Sequence, residues 1–197
     1  MPEIVFVMGK SASGKDTIYK QLVDDKSLKL NTVTMYTTRP MRDGETDGAE
    51  YNFVSDSEAC RMEQEGRIIE LRAYNTVHGI WKYFTADDGQ IDIASGRKYI
   101  VIGTLEAYDG FCRYYGKEHL LPIYIEVEDG IRLQRALLRE MNQVNPKYTE
   151  MCRRFLADSE DFSEENLANA GIDKRFSNNG DIETCIQAVV SEICAQL

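Results

Sequence analysis

Apolar positions along this chain come in short blocks, and their spacing changes from block to block. Ile4 to Met8 is a continuous apolar run, the pattern of a strand buried on both faces. Gly9 to Gly14 follows, and then a stretch to about Lys26 in which Ile18, Leu22 and Val23 recur on one helical face. The order predicts strand, glycine-bearing loop, helix. A second strand is predicted at about Thr32 to Tyr36, before the polar, turn-rich stretch "TTRPMRDGETDGAEYNFVS". Residues 56 to 66 read as a helix, capped by Ser55 or Asp56 with Glu58 close behind and ended by Gly66. Ile68 to Leu71 and Trp81 to Phe84 read as strands of a small mixed sheet. "YIVIGT" leads into a helix around Leu105 to Tyr115, and "LPIYIEV" into a helix from Asp129. A last strand near Lys174 to Ser177 precedes a helix from Asp181.

Strands alternating with helices predict an α/β fold with a doubly wound parallel sheet. Residues 37 to 88 break the alternation and read as an insertion. A length of 197 residues suits one such domain, with 43% hydrophobic and 28% charged residues as in ordinary globular proteins. The formal net charge of −10 argues against duplex nucleic acid as a partner, because a surface without excess cations repels phosphate at long range. A local arginine cluster can still hold a small phosphorylated substrate. The N-terminal run reads as a strand rather than a signal peptide, and no apolar stretch approaches a membrane span, so a cytoplasmic location is expected. The five cysteines, Cys60, Cys112, Cys152, Cys185 and Cys194, are expected to be reduced thiols that mostly fill the core. His78 and His119 offer them no ligand spacing, so no structural metal is expected.

Candidate chemistry starts at Gly9-Lys10-Ser11-Ala12-Ser13-Gly14-Lys15-Asp16, which fits the phosphate-loop pattern G-x-x-x-x-G-K-[ST] up to its last position. In such a loop successive backbone N–H groups and the head of the following helix point at phosphate oxygens, and the lysine adds a mobile charge. The position directly after an apolar strand and opening a helix is the context the motif requires. Thr17 remains available to a phosphate oxygen. In "TTRPMRDGETDGAEYNF", Arg39 and Arg42 bring two planar cations close together and Tyr51 adds a hydroxyl, a set able to hold a dianionic monophosphate. The bland reading of that stretch is a solvated loop.

The run Thr37-Thr38-Arg39-Pro40-Met41-Arg42-Asp43-Gly44-Glu45, with Asp47-Gly48 and Tyr51-Asn52-Phe53, resembles the signature of the guanylate kinases, and the phosphate loop stands about thirty residues upstream of it. The resemblance implies a P-loop NTPase-type core over 1–36 and 89–197, an inserted small mixed α/β monophosphate-binding subdomain over 37–88, and a helical lid over 135–155. It implies ATP-dependent phosphorylation of GMP or dGMP with Mg²⁺, by a monomer or homodimer. Arg39, Arg42 and Tyr51 would bind the monophosphate with Glu45 in support, and Glu70 would read the guanine edge. Arg135, Arg139 and Arg154 would be the lid arginines, with Arg153 as the alternative to Arg154. One helix face carries Arg135 and Arg139. Arg132 reads as a solvated surface residue. Asn179, or its neighbour Asn178, would lie near the adenine.

Three departures stand out. His78-Gly79-Ile80 replaces the family's Tyr-Gly-Ser/Thr, so a donor to the guanine oxygen is missing; His78 is either a phosphate donor or a plain loop histidine. Thr104 stands where the family has an aspartate near ribose and metal. The lid is a few residues longer than usual. Asp16, where a hydroxyl normally contacts Mg²⁺, is expected to hold Mg²⁺ or its water shell in compensation, or else only to complement the helix dipole. Two other readings stay open: a kinase for another nucleoside monophosphate or small phosphorylated acceptor, and a non-catalytic module that binds phosphopeptides.

Overall fold

The apolar run forms β1 (Ile4–Met8), every residue of which is buried. The structure is a computed structural model and describes residues 1–42, 44–76 and 79–197. The parallel neighbours of β1 are β7 (Lys98–Gly103) and β8 (Leu120–Glu126). Outside them lie β2 (Leu30–Thr32) and β9 (Arg175–Ser177), giving a five-stranded sheet of order β2-β7-β1-β8-β9. Side chains alternate across a strand, so Ile4, Phe6 and Met8 join one core layer and Val5 and Val7 the other. The first layer is closed by α3 (Leu105–Tyr115) through Tyr108 and Phe111, and by α6 (Glu164–Ala170) through Leu167. The second is closed by α1 (Lys15–Asp24) and α7 (Ile182–Gln196), through Ile18, Leu22, Val189 and Ile193. Each such fully buried aliphatic or aromatic side chain contributes roughly 1.5–3 kcal/mol over leaving it in water. This is the doubly wound sheet the alternation predicts.

A second, four-stranded mixed sheet has the order β4-β3-β6-β5, from β3 (Tyr36–Thr37), β4 (Asn52–Phe53), β5 (Ile68–Thr76) and β6 (Gly79–Ala86). The long hairpin partners β5 and β6 run antiparallel. They extend well beyond the four-residue strands expected. Helix α2 (Asp56–Gln64) covers this sheet with Ala59 and Met62 against Phe84 and Ala86, and its cap is Ser55, which accepts from the Glu58 N–H. The sheet meets the core where α3 crosses β5. A Cβ at Gly110 would stand 2.5 Å from Cβ of Glu70, so only glycine allows this approach.

Several expectations need correction. The single strand expected at Thr32 to Tyr36 is two strands in different sheets. Between them the Gln90 side chain accepts from the Thr34 N–H (2.8 Å) and donates to the Thr34 carbonyl (3.2 Å), so an amide side chain takes the place of a strand partner and the chain can change sheets. Three helices, α4 (Asp129–Met141), α5 (Tyr148–Asp161) and α6, lie between β8 and β9, where the sequence reading has a helix from Asp129 and a helical lid over 135–155 without separate bounds. Of the cysteines only Cys185 is buried; Cys60, Cys152 and Cys194 are exposed and Cys112 is intermediate, so they do not mostly fill the core. Among the described residues no helix is long and apolar enough to cross a membrane.

Candidate functional site

The site is built at the carboxyl ends of β1 and β7, where a doubly wound sheet leaves a crevice. Gly9 to Gly14 turns from β1 into α1 with two residues in the left-handed region, Ala12 (φ 63°) and Gly14 (φ 85°). Glycine meets the second need without strain, whereas Ala12 carries a Cβ in a sparsely populated region. The loop's carbonyls are answered from behind. Ser13 N–H donates to Lys10 O (3.2 Å), buried Asn178 donates through Nδ2 to Ser13 O (2.8 Å), and Arg132 donates through Nη1 to Ser11 O (3.3 Å). Asn178 is itself fixed by its N–H on Glu126 O (2.8 Å). At the head of α1, Lys15 Nζ lies 3.2 Å from the Asp16 carboxylate, and Asp16 and Thr17 are exposed. Lys10 lies 3.8 Å from Asp129.

Arg132 is no solvated residue. It is 1% exposed and joins the loop, α4 and α5. Nε and Nη2 donate to Asp129 (3.3 and 3.0 Å), Nη1 donates to Asp158 (3.3 Å), and the guanidinium lies 4.0 Å over the Phe155 ring. Asp158 in turn accepts the Ser11 N–H at 2.7 Å, so a carboxylate from α5 occupies one donor of the phosphate loop. The signal for this was half visible, since Asp129 and Arg132 are three apart on one helix. The other half, Asp158, sits 26 residues further on.

On the second sheet, Arg39 is 4% exposed and forms two parallel hydrogen bonds to Glu45 (2.8 and 2.9 Å), which also accepts the Arg42 N–H (2.7 Å). These bonds hold the Glu45 carboxyl below the usual carboxylate range, Arg39 contributing most. The Arg39 guanidinium lies over the Phe53 ring at 5.4 Å and the Tyr51 ring at 5.7 Å. Burial raises the Tyr51 phenol above its ordinary value, so it remains a hydrogen-bond donor at neutral pH. Glu70 is 6% exposed, and its carboxylate accepts from Arg72 Nε (3.0 Å) and Thr85 Oγ1 (2.9 Å). Thr104 caps α3, accepting from the Ala107 N–H. His78 lies outside the described residues.

One cavity of about 890 Å³ joins these parts. Its wall includes Ser11 of the phosphate loop, Tyr51, Arg72 and Tyr83 of the second sheet, Thr104, and Arg153, Arg154 and Asp158 of α5. Arg154 also meets Arg139, Arg132 and Ser11 around a small adjoining crevice. Arg153 is turned to Glu150 by two 2.8 Å bonds, whereas Arg154 keeps only a 3.6 Å pairing with it. Lys15, Arg39, Arg42, Glu45, Arg135, Arg139 and Glu70 are not on the cavity wall, and the phosphate loop reaches it through Ser11. Asn179 accepts the Glu128 N–H (2.8 Å) and thus ties the turn after β9 to the start of α4, while Asn178 backs the loop. Burial, with Asp158 and Glu160 nearby, raises the Asp161 carboxyl at the cavity edge. Arg72, Tyr83 and Asp158 were not singled out in the sequence as site residues, and Asn178 was named only as the alternative to Asn179 near the adenine; of the first three Arg72 alone had a local signal, two positions after Glu70 on one strand face.

Comparison with known proteins gives a consistent result. The family profile described as Guanylate kinase matches residues 1–80. A guanylate kinase of Mycoplasma mobile is 30% identical over 128 residues, which are 64% of this chain and 61% of that protein. The alignment thus spans about three fifths of that relative's length. A guanylate kinase of Thermobifida fusca is 26% identical over 201 residues, 98% of this chain and 88% of its own. The crystal structure of guanylate kinase from Anaplasma phagocytophilum shares the fold with a TM-score of 0.64 at 20% identity, covering 99% of this chain and 86% of its own.

The Arg132 cluster has a measurable consequence. Replacing a buried cation while its acidic partners stay behind is expected to cost about 3 kcal/mol. Arg132→Met should lower the urea midpoint by the corresponding amount, with an unchanged m-value. A midpoint within error of the parent would mean that the cluster contributes no net stability.

Proposed function

We propose, from the premise that this chain is of the guanylate kinase family, that it is a nucleoside monophosphate kinase transferring the terminal phosphoryl group of ATP to GMP or dGMP. The single observation that carries the reading is the shared cavity: Ser11 of the phosphate loop, Tyr51, Arg72 and Tyr83 of the second-sheet region and the arginine face of α5 all line it. A donor bound at the loop and an acceptor bound at the sheet would then face each other across one space, which is what direct transfer requires.

In this reading residues 37–88 bind the acceptor, residues 135–155 form the lid, and the remainder carries ATP. Loop N–H groups from Gly9 to Asp16, with Thr17, bind the triphosphate, and Lys15 neutralises its outer end. Tyr51 donates to the acceptor phosphate, with Arg39 and Arg42 supplying charge and Glu45 keeping Arg39 in place. Arg154 and Arg139, which share a small crevice with Ser11 of the loop, stabilise the transferring group, and closure of α4 and α5 brings in Arg135. No general base is needed, because a phosphate oxygen is already a nucleophile at neutral pH. Asp158 must release the Ser11 N–H when a phosphate takes that donor. Closing the cavity also keeps water from the transferring group.

Magnesium fits the donor set in a limited way. Among the described residues no three His, Cys, Asp or Glu side chains converge on a common point. Mg²⁺ characteristically keeps several waters and needs only one or two carboxylates beside substrate phosphates. Asp16, exposed at the head of α1, is the carboxylate able to hold the ion or its water shell. When bound, the ion neutralises charge on the triphosphate. Thr104, capping α3, would contact the acceptor ribose rather than the metal.

Two measurements test the reading. A coupled assay over GMP, AMP, CMP and UMP is expected to give a kcat/KM for GMP about a hundredfold or more above the others. Activity without that preference would favour a kinase of another acceptor, and neither turnover nor ATP binding would favour a phosphopeptide-binding module. Asp16→Ala, which leaves neither carboxylate nor hydroxyl there, is expected to raise the Mg²⁺ concentration needed for calorimetric ATP binding by about tenfold or more. An unchanged dependence would leave Asp16 only its helix-dipole role.

A further inference from the structure

Arg72 is the best-placed cation of the second sheet that the reading above does not use. It stands on β5 opposite Tyr83 of β6, which in turn lies next to β3, the strand that leads to Arg39. Arg72 is therefore one strand further from β3 than Tyr83 is, and its charge still acts on the Tyr51 phenol. Its side chain is only 11% exposed and lines the cavity. Nε donates to Glu70 at 3.0 Å and Nη2 reaches Met35 Sδ at 3.7 Å, so two sides of the guanidinium are fixed. No hydrogen bond of Nη1 stands among those of the described residues.

Charge decides what such a group recognises. Glu70, which also accepts from Thr85, neutralises Arg72. A half-fixed guanidinium whose charge is met keeps a pair of donors for neutral acceptors lying side by side, once Nη2 gives up its long contact with Met35 Sδ. Guanine presents two such acceptors, O6 and N7, on one edge, and arginine matches them with two parallel hydrogen bonds. Adenine presents an amino group at position 6 instead, setting donor against donor. Met35 adds an apolar surface beside the guanidinium for the base to lie against.

We infer that Arg72, held by Glu70, is the specificity-determining residue for the acceptor base and reads the O6/N7 edge of guanine. Glu70 is then a positioning residue behind it, instead of the group that touches the base. The hydroxyl missing at Ile80, itself 55% exposed, is replaced in this way from the adjacent strand. This inference rests on the guanine-acceptor reading proposed above.

The test pairs a variant with a substrate analogue. In the unaltered protein, 7-deaza-GMP, which lacks the N7 acceptor, is expected to be a poorer substrate than GMP by about tenfold in kcat/KM. Arg72→Met should lower kcat/KM for GMP by about ten- to a hundredfold, leave the KM for ATP unchanged, and abolish the difference between GMP and its 7-deaza analogue. The analogue needs no mutation, so poor folding of the variant does not block the test. If the unaltered protein phosphorylates GMP selectively yet treats the analogue alike, the Arg72 assignment is wrong and the guanylate reading stands. If it shows no preference for GMP, both fall together.

Discussion

A phosphate loop works only if its N–H groups face outward, and that requires something behind it to satisfy the carbonyls that face inward. Here the supports are Asn178 on Ser13 O, Arg132 on Ser11 O and the Ser13 N–H on Lys10 O. Asn178 follows β9 and Arg132 lies on α4, so the loop's shape depends on chain segments more than a hundred residues away. Buried backbone groups left without partners would cost enough to unmake the turn. The left-handed Ala12 is tolerated because these partners over-determine the loop.

The same support couples the two sides of the cavity. Arg132 holds Asp158, and Asp158 holds the Ser11 N–H, so α5 and the loop share one charge cluster. A phosphate entering the loop competes with a carboxylate already there, and α5 carries Arg153 and Arg154 on the same cavity wall. In the proposed reading, donor binding and the position of α5 are thereby linked through named atoms. The second sheet, proposed to take the acceptor, is built on independent elements, with Arg39 locked to Glu45 and Arg72 to Glu70. Both pairs fix an arginine by a carboxylate behind it, which limits the rotamer freedom a substrate would otherwise have to remove.

Legibility in the sequence followed the range of the interactions. Strand β1, the loop and α1 were readable because apolar period, glycine spacing and helix start all lie within twenty-odd residues. Helix α3 and the Ser55 cap were readable for the same reason. The break between β2 and β3 was not, because it depends on Gln90, 56 residues away. Arg132 looked like a surface residue because its burial is created by Phe155 and Asp158 on a helix whose apolar positions, such as Met151 and Phe155, are diluted by charged neighbours. Glu70 and Arg72 were adjacent in pattern, yet which of them faces the cavity is decided by Thr85 and Gly110.

The central claim is that two nucleotides meet in one cavity between the loop and the second sheet. Calorimetry with a bisubstrate analogue, adenosine and guanosine joined by five phosphates, tests it directly. The account predicts binding at one analogue per chain, about a hundredfold or more tighter than ATP or GMP alone, since the second half binds at the high effective concentration set by the first. An affinity no better than that of ATP would mean that the two sites do not open onto a common space.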